Sequence, residues 1–86
     1  MANYSLEVSR TAEKQLKQLA TRDQVRVVKA IRQLAVDPRP SGCRKLAGFE
    51  GVFRIRVGTL RVLYCVDDLR IIVIVLKIGH RKDIYR

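Results

Sequence analysis

Residues 52–66 constrain this chain more than any other stretch. Positions 52–57 alternate, with Phe53, Ile55 and Val57 pointing one way and Arg54 and Arg56 the other. Gly58-Thr59 fits a two-residue hairpin turn with glycine first. Residues 60–66 alternate again: Leu60, Val62, Tyr64 and Val66 share one face, and Arg61, Leu63 and Cys65 the other. So short a turn sets the register, with Val57 opposite Leu60, Arg56 opposite Arg61 and Arg54 opposite Leu63. The chain must therefore hold an antiparallel hairpin with one apolar face. On its other face Arg54, Arg56 and Arg61 crowd together, an arrangement that like-charge repulsion disfavours.

The rest of the chain has to cover that apolar face. Residues 4–8 alternate as a short strand with Tyr4, Leu6 and Val8 on one side. Ser9 is placed to cap a helix with Glu13 in its first turn, and Ala12, Leu16, Leu19 and Ala20 fall on one helical face. Thr21-Arg22-Asp23-Gln24 matches a capping box and predicts a second helix, with Val27, Val28, Ile31, Leu34 and Ala35 as its stripe. Asp37-Pro38 ends it. With almost no linker between them, the helices should form an antiparallel hairpin. Residues 39–51 read as a basic loop or short edge strand. Asp67-Asp68 supplies a turn, and residues 71–78, apolar almost throughout, predict an interior strand buried on both faces. Gly79 is expected to break that strand, leaving a charged tail over residues 80–86. The order β-α-α-β-β-β predicts a single α+β domain over residues 1–86. The helix hairpin would pack on one face of a twisted, mostly antiparallel sheet, and the other face would be open.

Charge narrows the function. Eighteen Lys and Arg against eight Asp and Glu leave a net +10 on 86 residues, which points to a polyanionic partner. A lone histidine, His80, and two isolated cysteines, Cys43 and Cys65, have no zinc-ligand spacing, so no metal or other cofactor is expected. Both cysteines read as free structural thiols. Residues 1–6 carry neither a charged leader nor an apolar run, and the longest apolar stretch is far short of a bilayer span, so a cytoplasmic protein without membrane contact is expected. The plain account of the arginines is a solvated basic face; three converging on one face with no mixing of sign favours an anion site instead. Arg44 and Lys45 in the basic loop, and His80 and Lys82 after the last strand, are the further candidates for contact with such a polyanion, which charge alone leaves as nucleic acid, an anionic membrane or an acidic protein.

Four segments carry a family resemblance: Lys45-Leu46-Ala47-Gly48, Phe53-Arg54-Ile55-Arg56-Val57-Gly58, Leu60-Arg61-Val62-Leu63-Tyr64, and Ile78-Gly79-His80-Arg81-Lys82-Asp83-Ile84-Tyr85-Arg86. In their order and spacing the chain resembles, over essentially its whole length, the RelE/ParE superfamily of bacterial toxins. The resemblance implies an α+β fold of this kind. It also implies mRNA cleavage in the ribosomal A site, a co-expressed antitoxin that holds the toxin inactive, and operator DNA contacted through the pair. Residue by residue, Arg54 and Arg56 match strand positions where the family often has lysine or arginine. Arg61 matches the strand arginine that contacts the phosphate, Arg81 the arginine after the glycine of the last strand, and Tyr85 the tyrosine that stacks on or orients the nucleotide. Arginine at both of the first two positions puts any lysine-specific proton transfer in doubt.

RNA brings its own nucleophile, the 2′-OH. The protein needs only to align it, stabilise the phosphorane charge and manage two protons. Guanidiniums suit the charge because they are planar and bidentate toward phosphate. They are poor bases, so Tyr85, with its phenol lowered by nearby cations, or His80 would accept the proton. Arg81 would serve the 5′-oxygen leaving group, giving a 2′,3′-cyclic phosphate. Two other readings remain open: a ParE-type inhibitor of DNA gyrase with the same fold, and a plain nucleic-acid-binding module.

Overall fold

The structure, a computed structural model, describes residues 3–80. Its elements are β1 (Ser5–Val8), α1 (Arg10–Lys17), α2 (Thr21–Val36), β2 (Arg44–Lys45), β3 (Val52–Val57), β4 (Leu60–Asp67) and β5 (Ile72–His80). They form two helices on a five-stranded sheet of order β1-β5-β4-β3-β2. Three strand pairs are antiparallel, and β1 runs parallel to β5. The α+β architecture and the helix layer agree with the sequence, and the basic loop does contribute a short edge strand, β2. The β3–β4 register is the one the turn demands: Val57↔Leu60, Arg56↔Arg61 and Arg54↔Leu63. Gly58 takes φ +63, and the Arg26 guanidinium lies 3.0 Å from where a Cβ would stand, so both conformation and space favour glycine there.

The core lies between the helices and one sheet face. Val27, Ile31 and Leu34 of α2 meet Ile55, Val62, Tyr64, Val73, Val75 and Ile78. Burying three large aliphatic side chains contributes roughly 5–9 kcal/mol to holding α2. A side-chain cap is worth only about 1 kcal/mol, which explains why α2 can lack one. The expected capping box at Thr21 does not form: Ala20 is the N-cap and makes no side-chain bond. Gln24 instead donates to the Leu19 carbonyl at 2.8 Å, closing the end of α1. Ser9 does cap α1, accepting from the Ala12 N–H at 3.0 Å.

Two departures occur along β5. First, Gly79 does not end the strand; it sits in the ladder opposite Arg61. Second, the β4–β5 register slips at Leu76, since Leu63 pairs with Lys77 while Tyr64 pairs with Val75. One extra residue shifts the alternation by one. Val75 and Ile78 therefore both reach the core, and Lys77 turns to the opposite face. The slip is supported from outside the sheet. β1 stops opposite Val75, and α1 covers the edge beyond it: Ser9 Oγ donates to the Leu76 carbonyl at 2.8 Å and Gln15 Oε1 accepts from the Ile78 N–H at 2.7 Å.

Candidate functional site

Directly opposed residues in a ladder share a face, so the register maps the sheet surface away from the helices. One row runs Arg44, Arg54, Leu63, Lys77 across β2, β3, β4 and β5. The next runs Arg56, Arg61, Gly79. These two rows hold five cations and no carboxylate. Adjacent rows are about 7 Å apart along a strand, and opposed Cα atoms about 4.5–5.5 Å apart. A phosphate at the centre would lie within reach of several of these side chains.

The expectation of an open face needs correcting at its middle. Arg61 is only 9% exposed and Leu63 5%. β4 is the central strand, so its side chains are flanked on both sides, and the long stems of Arg54 and Lys77 stand either side of Leu63. Arg61 has Arg56 on one side and a residue without a side chain, Gly79, on the other. It is thus a held guanidinium, whereas Arg56 and Arg44 at the sheet's outer part are exposed.

The sequence candidates separate on this map. Arg54, Arg56, Arg61 and Arg44 come together. Lys45 pairs with Phe53 and so belongs to the helix side of the sheet. His80 pairs with Leu60, which also assigns it to that side, exposed at the strand end. Arg81, Lys82 and Tyr85 lie outside the described residues. Lys77 escaped sequence reasoning because strict alternation across residues 71–78 puts it among the core positions; only the slip at Leu76 moves it. A mismatch between the apolar positions and strict alternation, with Val75 and Ile78 three apart, was the available signal.

Around the edge of β3, where β2 no longer covers it, a cleft of about 470 Å³ opens between α2 and the loop before β2. Arg44, Arg54 and Arg56 line one side, with Ala30, Leu34 and Ile55 on the other. That is the size of a small-ligand site, and it adjoins the cationic rows.

The other polar groups brace the fold. Tyr64 donates to the Pro38 carbonyl at 2.8 Å and stacks on Phe53 at 5.8 Å; burial pushes its phenol well above the usual range. Arg39 lies over the Phe53 ring and pairs with Asp68 at 2.8 Å, and Tyr4 donates to the same carboxylate at 2.7 Å. The hydrogen bond from Arg39, then that from Tyr4, holds the Asp68 carboxyl below its ordinary value. Burial raises the Cys65 thiol, away from the thiolate that a nucleophile requires. Among the described residues no three His, Cys, Asp or Glu side chains gather as metal ligands, and no helix is long and apolar enough to cross a membrane.

The comparisons with known proteins bear on this fold. The family model of the ParE toxin of type II toxin–antitoxin systems matches residues 6–85. The chain belongs to the RelE/ParE superfamily. It is 36% identical over 84 residues to Toxin RelG of Mycobacterium tuberculosis, covering 96% of this chain and 97% of that protein. Among solved structures it is similar to the toxin–antitoxin complex RelBE2 of Mycobacterium tuberculosis, with TM-score 0.82, 32% identity and coverage of 96% and 97% of the two chains. It is similar also to the archaeal RelE–RelB complex of Pyrococcus horikoshii, with TM-score 0.82, 25% identity and coverage of 96% and 99%. In this RelE/ParE toxin Arg44, Arg54, Arg56, Arg61 and Lys77 share the sheet face that the two helices leave uncovered.

Proposed function

We propose that this toxin is a metal-independent endoribonuclease that cleaves mRNA, with the ribosome presenting the strand, and that a cognate antitoxin holds it inactive. The observation that carries the reading is the buried Arg61 between Arg56 and Gly79, in two rows that contain cations and no carboxylate. Guanidiniums are planar and bidentate toward phosphate, so a group of them on one face suits a dianionic transition state. A guanidinium held in place before the reaction contributes most where charge develops. In the proposed site Arg61 holds the scissile phosphate, and Arg54, Arg56 and Arg44 hold the flanking backbone. Arg81 stabilises the departing 5′-oxygen, and Tyr85 accepts the 2′-OH proton. Lys45, His80 and Lys82 are left as contacts to more distant backbone. With few groups to orient a free RNA, alignment falls to the ribosome. The antitoxin reading draws on the relatives, which were solved as complexes with theirs.

The family model bears the ParE name, which keeps gyrase inhibition as the second reading. One experiment separates them. The purified chain is added, in EDTA for the RNA arm, to a 5′-labelled RNA alone, to the same RNA on programmed ribosomes, and to a gyrase supercoiling reaction. Fragments ending in 2′,3′-cyclic phosphate, faster with ribosomes, are the expected outcome. Intact RNA with blocked supercoiling would replace the nuclease by the gyrase inhibitor.

A further inference from the structure

The ladder between β2 and β3 ends at the Arg44↔Arg54 pair. Beyond it, toward the β3–β4 turn, the chain before β2 leaves the sheet and β3 runs on to Val57 with no strand on that side. Val57 and Leu60 close the two-residue turn, so they exchange hydrogen bonds across the hairpin and the next pair, Arg56 and Arg61, does not. The Arg56 backbone N–H and C=O therefore point away from β4, toward the side where β2 has ended. That side is the cleft of about 470 Å³ between α2 and the loop before β2. Leu34 and Ile55 in its floor are buried, and Ala30 is half-buried. Arg44, Arg54 and Arg56 line it with no carboxylate among the lining residues. Arg26, one turn before Ala30 on α2, brings a further guanidinium to the turn end, beside Gly58.

An aliphatic floor, a donor and an acceptor side by side on a strand edge, and a cationic rim thus meet in one place. A nucleotide uses all three. Its base presents apolar faces and a Watson–Crick edge with adjacent donor and acceptor, and its phosphate takes the guanidiniums. An acyl chain would leave the strand edge without partners. A strand of another protein would find a single outward-bonding residue, Arg56, because Arg54 already pairs with Arg44. We propose that the cleft is a nucleotide subsite: it takes one unstacked base of the RNA, neighbouring the scissile phosphate, with the Arg56 backbone on the base edge and Arg44 and Arg54 on the adjoining phosphate. The inference rests on the ribonuclease reading above and deepens it. Arg61 stands one strand to one side of β3 and the cleft lies on the other, roughly 10 Å apart at about 4.8 Å per strand. Drawing one base out of the stack there splays the strand at the scissile phosphate and gives the 2′-OH room to come into line.

The test uses the full chain and 2′-fluoro RNA hexamers, which have no 2′-OH and so report binding without cleavage. 2-Aminopurine, dim when stacked and bright when unstacked, is placed at each position in turn. One position should brighten on binding, and an abasic residue there should weaken the complex roughly 5- to 100-fold, the worth of a base edge held by two hydrogen bonds. Ala30→Phe, which fills the cleft, should abolish the brightening and weaken binding by a similar factor. Combined with the abasic RNA, it should cost no more than either change alone. Ser41→Trp narrows the mouth from an exposed loop position and should do the same, which keeps the test if Ala30→Phe fails to fold. No brightening at any position, with both variants within twofold of wild type, would overturn the subsite while leaving RNA as the substrate. No binding of the hexamers by the wild-type chain would overturn the RNA reading as well. Free 5′-adenosine monophosphate is the second probe. If it binds the wild-type chain and not Ala30→Phe, while hexamer affinity is the same in both, the cleft belongs to a free nucleotide and not to the RNA strand.

Discussion

Arg61 offers the sharpest separation of chemistry from stability. Replacing it with alanine removes the charge and also two methylenes from a site only 9% exposed. At about 0.8 kcal/mol per buried methylene the packing loss is about 1.6 kcal/mol. Relief of the cross-strand repulsion with Arg56 returns roughly 0.2–1 kcal/mol. Those two terms alone leave about 0.6–1.4 kcal/mol, or roughly 2–11 °C of melting temperature in a domain of this size, and loss of the guanidinium's own polar interaction adds to it. An inactive alanine variant alone would therefore be ambiguous. Methionine keeps a stem of similar length, so Arg61→Met should stay within about 1 kcal/mol of wild type while losing the charge. If the guanidinium stabilises the transition state, single-turnover cleavage of ribosome-bound mRNA should fall roughly 10²–10³-fold. Arg61→Lys, which keeps the charge but not the bidentate fork, should recover only part of the loss. Urea unfolding and cleavage rates would be measured on the same preparations. A methionine variant that cleaves within threefold of wild type would remove Arg61 from the chemistry. One that loses more than about 2 kcal/mol of stability would make it a structural cation.

Tyr64→Phe should cost about 1–3 kcal/mol in urea unfolding, because it leaves the Pro38 carbonyl without its partner, and should not alter cleavage; unchanged stability would mean that water replaces the hydroxyl. Asp68 has a lowered carboxyl in the folded state, so its contribution is present above about pH 4, the ordinary aspartate range, and is lost as pH falls through the lower folded value. Acid unfolding should accordingly be shallower in Asp68→Asn. Tyr64 has the opposite sign: its raised phenol means full stability below about pH 10 and loss above it, and Tyr64→Phe should flatten that alkaline limb. If the proposed roles hold, Tyr85→Phe should lower cleavage roughly 10²–10⁴-fold and His80→Gln only slightly. A severe His80→Gln defect beside an active Tyr85→Phe chain would make the histidine the proton acceptor.

Sequence alone was sufficient for the β3–β4 hairpin and its arginine register, because a two-residue turn leaves no freedom in pairing. Ser9 as a cap and Val27, Ile31 and Leu34 in the core stripe of α2 were equally local, set by helix geometry and hydrophobic spacing, whereas Val28 and Ala35, expected in the same stripe, are only half-buried at its margins. Arg54, Arg56 and Arg61 could be placed on one face for the same reason. What tertiary structure decided was non-local. The slip at Leu76 depends on Ser9 and Gln15, more than sixty residues away, supplying partners for β5 beyond the end of β1. It carries Lys77 to the cationic face, which no alternation within residues 71–78 reveals. Gln24 closes the end of α1 rather than boxing α2, its side-chain amide donating to the Lys17 and Leu19 carbonyls that the turn between the helices brings to it. Gly79 stays in the strand because Arg61 is there to pair with it. Burial of Arg61 likewise depends on β4 being the middle of five strands, and strand order is a property of the whole sheet. Local pattern determines which side a residue faces; only the packed neighbours determine whether that side is open.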